Sequence, residues 1–361
     1  MSPLERLKAI HGGTPTPDEP TLELPERREE DDKDLRKRLK KAEAELAKFH
    51  ADQREEELAS SRKFAPRVIP TPEHHDPRSP GHPVINLSDW HWGEVVDKRE
   101  TGGVNEFNRE IAEERVSRLG QRIVLLLKDF AGRNPSYPGL WINLIGDMIS
   151  GKIHEELRET NWGTVPEQAV EVGEALAGLL EYLANEFPDG PIDIACVVGN
   201  HGRNSLKPRA KTKVRENTEW GIYKSLERQF KDRSRFRFQI PDTPDLHFEI
   251  NGHRFLLTHG DSIGTKGGDG IIGPVGPLRR GYAKIRGAEV PIKRDFAFMI
   301  CGHWHTYQPP GVLFPVMVNG SLKGPDEYTA GMLRAGYPPA CQSLFIVSPK
   351  YGLVHPEAIY L

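Results

Sequence analysis

The sequence predicts an α/β domain behind a helical N-terminal extension. Three observations carry that reading: short apolar runs that end in glycine or a polar residue, longer segments of helical periodicity between them, and a change of composition near Val84. The runs VINLS, LWINLIG, IDIACVVG, FLLTHG and FAFMICG are apolar on both faces, as buried strands are. Residues 108–130, 166–187 and 216–231 place apolar side chains three and four apart, the spacing of helices that cover a sheet. LHFEINGHRFLLTHG reads as a hairpin in which Asn251 and Gly252 supply the positive φ values of a tight turn. Strands around 311–319 and a final hairpin at 344–360 add antiparallel pieces, so the sheets are expected to be mixed.

The extension divides into three parts. Residues 1–33 mix prolines, glycines and charge without periodicity and read as a flexible lead-in. Residues 34–60 are rich in helix formers, with Leu35, Leu39, Ala42, Leu46 and Phe49 in alternating four and three spacing. Over residues 34–58 this seam suits a short coiled coil and a homodimer, or equally a helix that packs on its own chain or stands in solvent. Residues 61–83 are a proline-rich linker, in which His74 and His75 are expected to be solvated rather than metal-binding. Residues 84–361 are expected to form one α/β domain, the part of the chain in which any catalytic site is expected.

With 361 residues, of which 37% are hydrophobic, the chain can bury a large core. No apolar run reaches the roughly 20 residues of a membrane helix, and the opening MSPLERLKAIHGG lacks a secretory apolar stretch, so a cytoplasmic protein without membrane contact is expected. Cys196, Cys301 and Cys341 show no paired spacing and read as reduced, buried thiols. A net charge of -3 does not mark a nucleic-acid binder globally, so any basic surface is local.

Five strand-like runs end in metal-competent side chains: SDWH (Asp89, His91), GD (Asp147), GNH (Asn200, His201), THGD (His259) and GHWH (His303, His305). Ligands gather beyond the carboxyl ends of strands in α/β sheets, so five such ends can converge on one site. A single histidine at a strand end is usually a satisfied hydrogen-bonding residue, but five coincidences are not. Imidazole nitrogen mixed with carboxylate and amide oxygen, without thiolate, suits Mn²⁺, Fe²⁺ or Zn²⁺. Two cations about 4 Å apart need a shared carboxylate between them, and the isolated Asp147 offers one.

The order Asp-x-His, Gly-Asp, Gly-Asn-His, His-Gly, Gly-His-x-His resembles the calcineurin-like metallophosphoesterase superfamily, over about Val84 to Gly320. The resemblance implies two mixed β-sheets packed as a sandwich and flanked by helices. It further implies two divalent ions, Mn²⁺ for preference, with Asp89, His91 and His305 on one, Asn200, His259 and His303 on the other, and Asp147 between. His201 would then give a proton to the leaving oxygen. Two departures stand out: Ser150 where many relatives carry an acidic or imidazole residue that orients the catalytic histidine, and Gly202 where they carry Asp or Glu. His154 or Glu155 is a candidate substitute for the orienting group, against the plainer reading of an exposed helix start.

Substrate class is read from the rims. Arg203, Lys207, Arg209, Lys211, Lys213 and Arg215 follow His201 without an intervening acid, which suits a polyanion and makes DNA the favoured substrate, with a layout similar to the repair exonuclease branch. The opposing reading is a solvated loop whose charges balance acidic neighbours. The glycine-rich residues 264–287, ending in Arg279, Arg280, Lys284 and Arg286, read as a flexible rim and substrate-covering lid. Trp90, Trp92 and Trp304 either stack on bases or pack behind the ligands. A DNA nuclease is thus expected; a phosphomonoesterase or phosphoprotein phosphatase is the alternative, and a nonhydrolytic scaffold the reading from another class.

Overall fold

The computed structural model describes residues 29–61, 81–129, 136–263, 275–311, 315–333 and 336–361. The chain divides into two units, residues 1–74 and 75–361. In the first, helix α1 (Glu29–Ser61) extends beyond the expected span at both ends. Its seam residues Leu35, Leu39, Leu46 and Phe49 are all more than half exposed. Most of the expected lead-in and most of the proline-rich linker, His74 and His75 included, lie outside the described residues. Among the described residues no helix is long and apolar enough to cross a membrane.

The second unit runs β1 (His82–Leu87), α2 (Arg109–Lys128), β2 (Leu140–Leu144), α3 (Glu155–Thr160), α4 (Val165–Glu186), β3 (Ile192–Cys196), α5 (Thr218–Gln229) and β4 (Phe236–Gln239). It continues through β5 (Asp245–Ile250), β6 (His253–Thr258), α6 (Val275–Glu289), β7 (Phe298–Cys301), β8 (Val316–Val318), β9 (Cys341–Ser348) and β10 (Gly352–Tyr360). One sheet has the order β10-β9-β1-β2-β3-β4 and the other β5-β6-β7-β8. Both are mixed: β1 to β4 run parallel and β9 and β10 join antiparallel, while β5 pairs antiparallel with β6 ahead of parallel β6, β7 and β8.

Strands buried on both faces require apolar layers on both sides. Between the sheets, Val84, Trp141, Ile145, Val197 and Phe345 of the larger meet Phe248, Phe255, Leu257, Ile300 and Met317 of the smaller. The outer face of the larger sheet packs Ile85, Leu87, Ile142 and Ile194 against α2, α4 and α5. The outer face of the smaller sheet packs Leu256, Met299 and Val316 against Leu278 of α6. The result is the sandwich of two mixed sheets between helices that the resemblance implies.

Local signals fix the helix starts. Asn108 caps α2 by accepting from the Ile111 amide at 2.9 Å, and Thr164 and Glu167 form a capping box on α4. Asn251 and Gly252 have φ of 53° and 80° and close β5 onto β6 with Ile250 opposite His253, as the sequence predicts. The stretch read as a flexible rim is in part otherwise. Residues 275–289 are helical because Leu278, Tyr282 and Ile285 recur at four and three spacing and turn toward the smaller sheet, which outweighs the glycines around them. Residues 264–274 lie outside the described residues.

Candidate metal centre

The parallel strands β1, β2 and β3, and β6 and β7 in the second sheet, all end at one edge of the sandwich. Each delivers a short loop there: Asp89 and His91 after β1, Asp147 after β2, Asn200 and His201 after β3, His259 after β6, His303 and His305 after β7. Three groups of donor atoms gather within 4.8 Å of one another: Asp89, His91 and His305; His91, Asp147 and His201; Asp147, His259 and His303. Asp147 and His91 belong to two groups each, so the groups form one continuous cluster.

The backbone is bent to reach this geometry. Asp89, His91, Asp147, His303 and His305 have φ between 49° and 69°, five of the nine left-handed residues other than glycine among those described. Such a conformation costs of order 1–3 kcal/mol for each residue and persists where the surroundings impose it. The surroundings here are tight: a methyl group on Gly199 would lie 2.1 Å from Oδ1 of Asp147.

Hydrogen bonds set the direction of each ring. The Nδ1 of His259 lies 2.7 Å from the Ile145 carbonyl, which only accepts, so Nδ1 carries the hydrogen and Nε2 turns its lone pair inward. There it faces Asp147 Oδ2 at 3.0 Å and Asn200 Oδ1 at 3.1 Å, two further acceptors. An imidazole lone pair, a carboxylate and an amide oxygen facing one another demand a proton or a cation between them. Burial alone would lower the His259 pKa, but Asp147 and then Asp89 raise it to about 10. The proton occupies the place a divalent ion would take. Burial and the neighbouring His259 hold His303 down at about 4, keeping its lone pair available. Burial opposes ionisation of Asp147, yet His259 and His201 bring its pKa well below the ordinary value.

The other half of the cluster repeats this logic. The Nε2 atoms of His91 and His305 face each other at 3.0 Å, and His305 Nε2 stands 3.4 Å from Asp89 Oδ1. The far nitrogen of His91 meets Glu94 Oε2 at 3.2 Å. Glu94 pairs with the buried ammonium of Lys323, which also holds Asp326. Burial would raise the Glu94 pKa, but Lys323 and His91 push it far below the carboxylate range, so an ionised carboxylate fixes the ring. Asp89 in turn accepts from Ser88 Oγ and from the His303 amide at 3.0 Å.

His201 stands at the open side, its ring centroid 4.5 Å from that of His91 and 5.5 Å from that of His154. Its amide donates to Asp147 Oδ1 at 2.7 Å and its Nδ1 donates to the Ser150 carbonyl at 2.8 Å. The orienting group is thus the backbone of residue 150; the Ser150 hydroxyl turns to Asn161 instead. Burial pushes the His201 pKa down to about 3 despite Asp147, which makes it an uncharged ring in the free protein. A phosphate anion beside it favours the protonated form.

The rims are less free than the sequence suggests. Lys213 pairs with Asp261 at 2.7 Å and Arg215 with Asp242 at 2.7 Å. Arg203 donates to the carbonyls of Asn200, Ser205 and Leu206 and so braces its own loop. Lys207, Arg209 and Lys211 are exposed. In α6, Arg286 is paired with Asp295. Trp90 and Trp92 are fully buried and donate to Gln342 and Glu171, so neither offers a face for stacking, while Trp304 is half-buried.

The sequence reading missed Glu94, Lys323, Asp326 and Glu219. Glu94 has a visible signal, its place three residues after His91; the others are brought in from distant segments.

No protein-family profile and no curated protein matches this chain. Several solved structures are similar to it, two of which serve for comparison. One is a conserved uncharacterized protein from Streptococcus pneumoniae TIGR4, described as a predicted phosphoesterase, at 12% identity over 77% of this chain and 97% of that one, with a TM-score of 0.27. The other is the Thermus thermophilus sulfate thiohydrolase SoxB, at 8% identity over 80% of this chain and a TM-score of 0.31; the chain spans 58% of its length. Likeness of this order carries no argument for activity, which has to come from the side chains themselves.

Proposed function

We propose that the chain is a dinuclear metal-dependent phosphoesterase that hydrolyses phosphodiesters, with nucleic acid as the favoured substrate. The observation that carries this is the inward lone pair of His259 facing Asp147 and Asn200, an arrangement of acceptors that a cation satisfies. Asp89, His91 and His305 would hold one ion; Asn200, His259 and His303 would hold the other; Asp147 would serve both. The nitrogen and oxygen donor set fits Mn²⁺, with Fe²⁺ and Zn²⁺ as alternatives. Such ions supply charge for the phosphoryl oxygens and lower the pKa of a water.

The protein's own groups do the rest. The Ile145 carbonyl locks His259 in the tautomer that turns Nε2 inward, and the Glu94 carboxylate stands 3.2 Å from the far nitrogen of His91. His201, held at Nδ1 by Ser150, presents Nε2 to the leaving oxygen; the ring takes up a proton from solvent when the phosphate anion binds beside it and gives that proton to the leaving oxygen, a role worth on the order of 100-fold or more for an alkoxide leaving group. Exposed Lys207, Arg209 and Lys211 favour a polyanionic substrate at the same rim.

A second reading, hydrolysis of small phosphomonoesters, is favoured by the internal pairing of Lys213 and Arg215. The discriminating experiment incubates purified protein and Mn²⁺ with labelled single- and double-stranded DNA, p-nitrophenyl phosphate and its bis ester. Cleavage of DNA and the bis ester is expected. Turnover of the monoester alone would replace the first reading by the second, and no turnover under any metal would return the chain to a binding role.

A further inference from the structure

Behind the cluster lies a carboxylate that none of the roles above uses. Glu219, in the first turn of α5, is fully buried. One of its oxygens accepts from the Met148 amide at 2.7 Å and the other from the Gly199 amide at 2.7 Å. Met148 follows Asp147 and Gly199 precedes Asn200, so one side chain holds the two loops that bring the shared carboxylate, an amide ligand and the proton donor.

Space for this is made by Gly202. A methyl group there would stand 2.3 Å from Oδ1 of Asn217 and 2.7 Å from Cγ of Glu219. Asn217 completes the joint, since its Oδ1 accepts from the Glu219 amide at 2.9 Å and its Nδ2 donates to the Gly199 carbonyl at 2.8 Å. The Thr218 amide adds a bond to the Gly202 carbonyl at 2.8 Å.

The neighbouring buried acids are held differently: Glu94 and Asp326 share the ammonium of Lys323, whereas Glu219 meets two backbone amides, one from each loop.

We propose that Glu219 is a positioning residue: it clamps the Asp147 loop to the Asn200–His201 loop and thereby sets the separation of the two metal positions, in the space that Gly202 leaves open. This rests on the dinuclear reading above. The clamp acts on geometry and touches no reacting atom.

The test uses the full chain, with Mn²⁺ as probe, and compares wild type with Glu219→Gln and Gly202→Ala. Gln keeps the shape but turns one acceptor into a donor, so one of the two amides loses its partner; Ala at 202 pushes the carboxylate from the other side. Calorimetry gives Mn²⁺ affinity and stoichiometry, electron paramagnetic resonance gives the spin coupling of the pair, and turnover of the bis ester separates kcat from KM. We expect a 10- to 100-fold weaker second Mn²⁺ in Glu219→Gln, an altered coupling signal, and a fall in kcat with KM little changed. Gly202→Ala should move each readout in the same direction, and it carries the test if Glu219→Gln fails to fold. Wild-type affinity and coupling in the folded variants would overturn the clamp alone. A wild-type chain that takes up no Mn²⁺ pair would overturn the phosphoesterase reading, and the clamp with it.

Discussion

His201 Nδ1 lies 2.8 Å from the carbonyl oxygen of Ser150, and a main-chain group thereby orients the ring. Side-chain substitution at residue 150 leaves that acceptor in place. Ser150→Ala should therefore keep kcat for a phosphodiester with an alkyl leaving group within about threefold, whereas an orienting hydroxyl would show a loss of order 10-fold or more. A steady-state comparison decides it.

His201→Ala should leave Mn²⁺ binding intact and lower kcat by on the order of 100-fold for an alkyl leaving group. The loss should shrink for p-nitrophenolate, which departs without a proton. A plot of rate against leaving-group pKa reads this directly: wild type shallow, variant steep. Parallel plots would remove the proton-donor role.

The Glu94 carboxylate that fixes His91 gives a second handle. Glu94→Gln leaves the ring without its charged partner and Lys323 with one carboxylate rather than two. Mn²⁺ affinity should fall by roughly 10- to 100-fold, measured by titration at constant pH. An unchanged isotherm would show that His91 needs no orienting.

Asp326 ties the same network to acid stability. Burial opposes its ionisation, but Lys323 brings its pKa from 3.8 down to about 2. The depressed folded value means that the contribution, about 2 kcal/mol for a shift of this size, is present above pH 3.8 and is lost as pH falls through 2. Asp326→Asn should accordingly be destabilised at pH 7, and the gap in unfolding free energy should narrow between pH 4 and 2. A gap independent of pH over that range would contradict the pairing.

The basic loop bears on salt dependence. With Lys213 and Arg215 engaged, Lys207, Arg209 and Lys211 are the exposed cations that this loop offers to phosphates. Replacing all three by Ala should lower the slope of log K against log salt for single-stranded DNA by about 2, given roughly 0.7 for each phosphate no longer neutralised. An unchanged slope would exclude this loop from nucleic-acid binding.

How far the sequence carries depends on the range of the physics involved. Strand ends and hairpin turns are local, written in Gly146, Asn251 and Gly252, so the mixed strands and the edge where Asp89, Asp147, Asn200, His259 and His303 meet are legible from the residues, while the division into two packed sheets comes with the family resemblance. The helix at 275–289 is misread as flexible because glycines at 276, 281 and 287 mask the spacing of Leu278, Tyr282 and Ile285. Pairings such as Lys213 with Asp261, or Glu219 with two separate loops, depend on segments that only the fold brings together. Trp90 and Trp92 flank the ligands in sequence, yet the indoles point inward because each finds an acceptor there, Gln342 or Glu171.

The left-handed backbone at Asp89 and Asp147 sets activity against robustness. Glycine adopts that conformation without steric penalty, yet Asp147→Gly would also strip the His201 amide and His259 Nε2 of their acceptor, so the strain it relieves is offset by what it unpairs. Substitution at these two positions is therefore no route to heat resistance, and a thermostabilised version of this chain has to find its gains elsewhere in the sandwich.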